Sequence, residues 1–307
     1  MDLVSTCFKP KYRTVMNWEA LSRQIESATG RPFKVVAAQA LAGGDINSSY
    51  RLQGNDAAYF VKLNHASTLP MFEAECLGLQ EIAGTQTVMV PAPVAFGASE
   101  EHAFLVLEHL EFGPSSQSSC RLLGRQLAQM HRQTRSYFGW SRDNTIGSTP
   151  QINSPQDDWP SFWRDNRLAF QLKLAHQNGY RGRLQLNGER LCSQLACFFD
   201  RYRPEPSLLH GDLWAGNSAV DKSGRPVVYD PACYYGDRET DLAMTELFGG
   251  YSQDFYAAYR EAWPLDPDYK TRKTLYNLYH ILNHLNLFGG GYLRQAENMI
   301  DQLLSEL

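Results

Sequence analysis

The hydrophobic pattern changes period part-way along the chain. Apolar residues at 18, 21, 25 and 28 form the stripe of an amphipathic helix over 18–28. Strand-like runs follow at 33–40, at 59–63 with its alternation, at 88–94 punctuated by Pro91 and Pro93, and at 103–107, an unbroken apolar run suited to a buried strand. One helix, predicted over 72–82, interrupts them. Beyond residue 110 helices dominate: 120–132 with apolar positions 122, 123, 127 and 130, one from Trp159 through Leu174, one over 191–202, and runs near 252–262, 267–287 and 292–306. Residues 138–152 read as a long polar loop, and Gly289-Gly290-Gly291 as a helix break. The expected class is therefore α+β in two lobes: a small β-rich lobe over 17–110, a larger, mainly helical lobe over 111–307, and a flexible extension over 1–16.

One stretch breaks the helical pattern of the second lobe. Leu208-Leu209 leads into His210-Gly211-Asp212-Leu213-Trp214-Ala215-Gly216-Asn217, and after a Lys-Ser-Gly-Arg-Pro turn the apolar run Val227-Val228-Tyr229 ends on Asp230. That is the spacing of a kinase catalytic loop and its metal-binding strand. Phosphoryl transfer needs an acceptor hydroxyl held in line and charge neutralised on the phosphates, and little covalent help from protein. Asp212 is the candidate base. Asn217 and Asp230 offer the hard oxygen ligands that suit Mg²⁺. A plain turn between two short strands would not require a His before Gly-Asp, or a late Asp closing an apolar strand.

The first lobe supplies matching parts. Gly43-Gly44 lies between two strand-like runs, where backbone N–H groups can approach phosphate oxygens, although a Gly pair alone is as readily a hairpin turn. Lys62 projects from the 59–63 strand, in the place where a kinase carries the Lys that holds the α- and β-phosphates of ATP. Glu73 and Glu75 on the next helix face different sides, so only one of them can pair with Lys62. The run 103–107 passes straight into Glu108-His109-Leu110 and a Gly-Pro loop, a hinge whose backbone could bond an adenine. His131 reads as a helix-terminal or packing residue, and Trp159, Phe162 and Trp163 as core. Asp241 is placed to turn back and hold the catalytic loop by its backbone N–H groups.

Composition removes other classes. A formal charge of -4 leaves no basic excess for nucleic acid. The six cysteines show no CxxC pair and no zinc spacing, which suits buried thiols of a reducing compartment. Cys192 and Cys197, about 140° apart on a helix, are assigned to packing. No run approaches the length of a membrane span, and no signal-peptide pattern opens the chain, so a cytoplasmic location without membrane partner is expected.

His210-Gly211-Asp212-Leu213-Trp214-x-Gly216-Asn217 and Asp230-Pro231-Ala232-x-Tyr234-Tyr235-Gly236-Asp237-Arg238-Glu239-x-Asp241 resemble the fructosamine kinases, or ketosamine-3-kinases. The likeness runs from about Trp18 to the C-terminus, through Gly43-Gly44-x-Ile46-Asn47, Phe138-Gly139-Trp140 and Leu287-Phe288-Gly289-Gly290. The shorter His-Gly-Asp pattern is shared with aminoglycoside and choline kinases. The resemblance implies a protein-kinase-like fold that uses ATP and Mg²⁺ to phosphorylate the 3-hydroxyl of a ketosamine, a small-molecule adduct or a glycated protein lysine, as a deglycation or repair activity. By position it implies Asp212 as base, Asn217 and Asp230 on Mg²⁺, Lys62 paired with Glu75, and nucleotide contacts from Gly43, Gly44, Asn47 and the hinge Glu108, His109 and Leu110. Trp214, Tyr234 and Asp237 are the residues expected at the acceptor. Some members carry a redox-active Cys in the Gly-rich loop where Asp45 stands here, so that switch is not expected. A monomer or weak homodimer is expected. The competing readings are a kinase for an aminoglycoside-like or choline-like acceptor, which would call for a carboxylate-lined cleft, and a nucleotide-binding pseudokinase, disfavoured because Lys62, Asp212, Asn217 and Asp230 are all present.

Overall fold

Alternation along one strand decides how the first lobe is built. In a computed structural model, which describes residues 17–42 and 46–307, β1 (Ala37–Leu41), β2 (Ser48–Gln53), β3 (Ala58–His65), β4 (Pro93–Ala98) and β5 (His102–Glu108) form an antiparallel sheet in the order β1-β2-β3-β5-β4. The expected extension 1–16 and the loop residues Gly43, Gly44 and Asp45 lie outside the described residues. Successive side chains point to opposite faces. Val61 and Leu63 therefore join Phe104 and Val106 under α1 (Trp18–Thr29), whereas Leu105 and Leu107 face α2 (Leu69–Gly84). Lys62, paired across the sheet with Leu105, shares the α2 face. Helix α1 is closed at both ends: the Asn17 side chain accepts from the Ala20 N–H, and Gly30, at φ 67°, donates to the Glu26 carbonyl.

The chain leaves the sheet through β6 (Phe112–Gly113), which pairs with β10 (Ser218–Asp221) rather than with the first sheet. Helix α3 (Gln117–His131) follows, and then a hairpin of β7 (Asn144–Ile146) and β8 (Thr149–Gln151) inside the stretch expected as loop. Such three-residue strands are too short to leave an alternation in the sequence. The helix expected from Trp159 is three pieces: α4 (Trp159–Trp163), a π-helical turn over 164–168, and α5 (Ala169–Gln177). The turn carries Arg167, fully buried, whose guanidinium donates to the Ile152 carbonyl and Asn153 Oδ1.

Helix α6 (Arg183–Gln194) starts well before the expected 191–202 and gives way to a 3₁₀ turn over Leu195–Phe199. Gly188 sits mid-helix, where α6 crosses Leu172 of α5 so closely that a Cβ would lie 2.7 Å from the Leu172 side chain. The segments β9 (Ser207–Leu209), β10, β11 (Pro226–Val228) and β12 (Tyr234–Gly236) make two small antiparallel pairs, β9 with β12 and β10 with β11. Helices α7 (Glu239–Leu247), α8 (Gln253–Ala262), α9 (Tyr269–Phe288) and α10 (Leu293–Ser305) complete the chain close to expectation, with the break falling at Gly289. Among the described residues no helix is long and apolar enough to cross a membrane.

One continuous core joins α2 and the inner face of the sheet to the helical part, including Phe72, Leu79, Leu105, Leu127, Trp159, Phe162, Trp163 and Tyr276. Buried within the helical part, Arg272 of α9 donates to Glu239 (2.7 and 3.2 Å) and to Asp266 (2.7 Å). Arg272 and Glu239 are 1% and 0% exposed, and the guanidinium lies 3.9 Å from the Tyr202 ring centroid. Removing one partner of such a pair leaves an uncompensated buried charge, at a cost of about 3–5 kcal/mol. Arg272→Met is therefore expected to lower unfolding free energy by about that amount, read as a shift of the urea midpoint; a midpoint within error of wild type would contradict the assignment.

Candidate active site

Two short strand pairs aim three loops at one point. Asp212 follows β9, Asn217 precedes β10, and Asp230 lies between β11 and β12. The segments are bonded to each other: Ala232 donates to the His210 carbonyl (2.8 Å) and Tyr229 to that of Asn217 (3.0 Å). His210 explains its own place in the motif. Fully buried, it meets the Tyr229 carbonyl through Nε2 (3.0 Å) and accepts the Asp212 N–H at Nδ1 (3.3 Å). A carbonyl cannot donate, so Nε2 carries the proton. Burial lowers the His210 pKa, which keeps the ring neutral for that role. Gly211 sits at φ 83°, where a Cβ would fall 2.1 Å from the Ala232 carbonyl oxygen, so no other residue fits.

Asp241, near the start of α7, does turn back on this loop. Its carboxylate accepts the N–H groups of His210 (2.7 Å) and Gly211 (2.8 Å) and a bond from His131 Nε2 (3.1 Å). Burial works to raise its pKa, but these hydrogen bonds, His131's foremost, outweigh it and hold the carboxyl low. His131 is in turn bonded through Nδ1 to the Tyr259 hydroxyl (2.8 Å), which also accepts from Arg238 (3.1 Å). His131 is thus more than the packing residue its helix-terminal position suggests. It braces the brace.

Lys62 reaches this point from β3, 4% exposed. Its ammonium donates to Glu75 of α2 (2.6 Å) and to Asp230 (2.7 Å). Burial disfavours its charge, yet the attraction of Asp230 and then Glu75 prevails and raises its pKa above the ordinary value. Glu73, the alternative partner, faces away and pairs with Arg142 at 2.9 Å. Asp230 adopts φ 59°, a conformation rare outside glycine, which turns its carboxylate toward Lys62. Asn217 donates through Nδ2 to the Asp212 carbonyl (2.8 Å) and carboxylate (3.1 Å), leaving its Oδ1 for another partner. Burial, followed by the negative charge of Asp230, pushes the Asp212 carboxyl up to about 7.

These groups line a cavity of about 380 Å³. Of the residues expected from sequence, Asn47, Lys62, Glu75, Asp212, Trp214, Asn217 and Asp230 are on its wall. Glu108 ends β5, and Glu108, His109 and Leu110 follow the sheet toward the second lobe without being among the residues that line this cavity. Two expectations are corrected. Tyr234 and Asp237 are not on the wall. Tyr234 is 2% exposed and packs its ring 4.3 Å from the Arg167 guanidinium carbon. Asp237, fully buried, accepts from Tyr202 (2.9 Å), Tyr276 (2.5 Å) and the Glu239 N–H (3.0 Å). The stretch that carries them is a buried network behind the loop.

Sequence reasoning missed the opposite wall of the cavity: Asn144 and Thr145 of the hairpin, and Met244, Phe248, His280, Asn283, His284, Leu287, Phe288 and Tyr292 from α7, α9 and the turn after it. The one signal was the Leu287-Phe288-Gly289-Gly290 stretch. Asn144 Nδ2 donates to the Cys233 carbonyl (2.8 Å), and Gln151 Nε2 to that of Ala232 (3.1 Å), so the hairpin grips the segment behind Asp230.

Residues 17–306 match the family model described as fructosamine kinase. A protein of Synechocystis sp. named as a probable ketoamine kinase is 48% identical, over 94% of this chain and 97% of its own. A chloroplastic protein-ribulosamine 3-kinase of Arabidopsis thaliana is 41% identical, over 91% and 86%. A crystal structure from Haemophilus somnus, assigned to fructosamine-3-kinase, matches with a TM-score of 0.87 at 31% identity, covering 94% of this chain and 97% of that one. An aminoglycoside phosphotransferase matches at 0.61 and 14% identity, a likeness of fold alone.

Two outcomes follow from the geometry. Asp241→Asn removes one of the acceptors that hold the loop, so kcat should fall roughly 10- to 100-fold through misplacement of Asp212 while the KM for ATP stays near wild type; an unchanged kcat would contradict the brace. Between pH 4 and 7 the folded state keeps a proton on Asp212 that the unfolded state has lost, so this group's effect on stability worsens as pH rises through that window. Asp212→Asn is therefore expected to raise Tm above wild type at pH 8, with the two curves converging toward pH 4; equal Tm at pH 8 would contradict the raised carboxyl.

Proposed function

The chain belongs to the fructosamine kinase family, and on that footing we propose that it transfers the γ-phosphoryl group of ATP to the 3-hydroxyl of a ketosamine, the ribulosamine or fructosamine adduct of an amine. The observation that carries the reading is the meeting of Asp212, Asn217, Asp230 and Lys62 on the wall of one cavity. Asp212 takes the proton of the acceptor hydroxyl as its oxygen bonds to the γ-phosphorus, and ADP leaves with the electron pair of the broken P–O bond. Lys62, held by Glu75, supplies positive charge to the α- and β-phosphates. The segment 108–110, following β5, suits an adenine by its position, and Asn47, on the wall of the cavity, suits the phosphate side. Trp214, on the wall two residues past the base, flanks the acceptor.

The residues present fit Mg²⁺. The described wall carries three carboxylates, Glu75, Asp212 and Asp230, against one ammonium, Lys62, and the Oδ1 of Asn217 is left over. Among the described residues no group of three or more His, Cys, Asp or Glu side chains gathers as a metal site. Mg²⁺ does not demand one, since it uses one or two protein carboxylates with phosphates and water. Asn217 and Asp230 would hold it, and bound there it would neutralise charge on the phosphates.

An aminoglycoside-like acceptor carries several cations. The described wall holds no carboxylate beyond the three grouped around Lys62 and Asn217, which disfavours that alternative. The described cysteines, all free, suit a cytoplasmic setting.

With ribuloselysine or fructoselysine, ATP and Mg²⁺, phosphorylated product is expected. Asp212→Asn should lower turnover by about 10²–10⁴-fold, and a mutant near wild type would contradict its role. Because the base must be ionised, kcat/KM of the wild type should fall as pH drops below about 7; a profile flat to pH 5 would contradict it.

A further inference from the structure

Asp230 and the catalytic loop are joined through one peptide. The Ala232 N–H donates to the His210 carbonyl (2.8 Å), and the Ala232 carbonyl oxygen lies against Gly211, so the placing of Asp230 beside Asp212 passes through Ala232. Asp230 itself holds φ 59°, a conformation that a free chain disfavours. The segment after it is held from the β7–β8 hairpin: Gln151 Nε2 donates to the Ala232 carbonyl (3.1 Å) and Asn144 Nδ2 to the Cys233 carbonyl (2.8 Å).

Each of these amides has two orientations, and a buried cation decides between them. Arg167, fully buried in the π-helical turn over 164–168, can only donate. Its guanidinium carbon lies 4.8 and 4.3 Å from the ring centroids of Phe162 and Tyr234, and its Nη2 donates to Asn153 Oδ1 (2.8 Å). Asn153 therefore turns its Nδ2 to Asn144 Oδ1 (2.9 Å), and Asn144 is left with Nδ2 for the Cys233 carbonyl. Gln151 is polarised in the same sense from the other side. The Tyr279 hydroxyl donates to its Oε1 (2.8 Å), which leaves Nε2 for Asn144 Oδ1 (2.8 Å) and the Ala232 carbonyl. Reversing one amide would set two oxygens face to face in a buried network, where an unmade bond is costly.

We infer that Arg167 is a positioning residue for phosphoryl transfer: acting through Asn153 and Asn144, it fixes the direction of the hydrogen bonds that hold Ala232 and Cys233, and with them the place of Asp230 beside Asp212. The inference rests on the reading of Asp230 as a metal ligand. Arg167 is not on the wall of the cavity, whereas Asn144, at the end of the relay, is. Among the described residues the charge of Arg167 is met by carbonyl oxygens and ring faces and by no carboxylate. Packing alone does not call for a cation there, since well-packed apolar side chains of similar volume commonly replace buried charges without loss of stability. An apolar side chain would fill the space and impose no direction on the amides.

Asn153→Asp separates the relay from packing. The new carboxylate still accepts from Arg167, so the cation stays paired, but it has no hydrogen to give Asn144. Asn144 then turns over, and its Oδ1 faces the Cys233 carbonyl. The expected result is a Tm within a few degrees of wild type and a Kd for Mn²⁺, standing in for Mg²⁺ in the presence of ADP and read by electron paramagnetic resonance, raised about tenfold or more. In the same variant kcat should fall roughly 10- to 100-fold with KM for the ketosamine unchanged. Asn144→Ala, which deletes the last bond of the relay at the cavity wall, is the second variant should the first fold poorly, and the same changes are expected of it. Mn²⁺ affinity and kcat near wild type in a folded variant, whatever its Tm, would overturn the relay and leave Arg167 a packing residue; so would a raised ketosamine KM with unchanged Mn²⁺ affinity. Wild-type protein that binds no Mn²⁺ with ADP would instead overturn Asp230 as a metal ligand, and the relay with it. The Mn²⁺ titration needs no acceptor, so its outcome is independent of the ketosamine reading.

Discussion

A single buried ammonium ties the two halves of the site together. Lys62 comes from the sheet, Glu75 from α2, and Asp230 from the segment between β11 and β12, and all three meet within 2.7 Å contacts. Taking an ammonium out of water is costly, and one carboxylate alone would repay little of that cost. Two carboxylates do so, which is why the register of β3 matters: a one-residue slip would turn Lys62 toward α1 and put Val61 in the cleft. Helix α2 cannot drift either. Glu81, six residues past Glu75, accepts from Arg135 (2.8 Å), the Tyr235 hydroxyl (2.7 Å) and Trp140 (3.3 Å), so the helix that presents Glu75 is fastened to the helical part.

The same logic governs the polar residues buried behind the loop. Asp237, Glu239 and Asp241 follow one another near the start of α7, and each spends its charge on structure: Asp237 on Tyr202 and Tyr276, Glu239 on Arg272, Asp241 on the backbone of His210 and Gly211. Together they leave Asp212 as the carboxylate of the loop that looks into the cavity without a cationic partner of its own. Burial, and then the negative charge of Asp230, push its carboxyl up to about 7. A group so tuned can accept a proton near neutrality, which suits the role of a base.

Much of this was legible in the sequence because its physics is local. The alternation of 59–63, the helical stripe at 18–28 and the His-Gly-Asp spacing each follow from a period or a fixed number of intervening residues, and the order of elements put a carboxylate of the 72–82 helix beside Lys62, the choice of Glu75 over Glu73 coming from the family resemblance. What was not legible depends on contacts between distant segments. Tyr234 and Asp237 were expected at the acceptor from their place in the motif alone; the packing of Arg167 and Tyr276 against them makes them core. The aromatic wall of the cavity joins residues 214, 248, 284, 288 and 292 from separate segments, and the one pair that shares α9, 284 and 288, has the spacing of any helix face. The hairpin at 144–151 is set by side-chain bonds to the segment behind Asp230, which no local pattern announces.

The central claim is that this constellation directs phosphoryl transfer to one hydroxyl of a ketosamine. The most direct measurement is the position of the phosphate in the product, read by phosphorus–carbon coupling in the NMR spectrum of a ¹³C-labelled ribulosamine after reaction. The account predicts coupling that identifies phosphate on the oxygen of C3. Phosphate on any other carbon, or ATP hydrolysis with the sugar left unmodified, would contradict it.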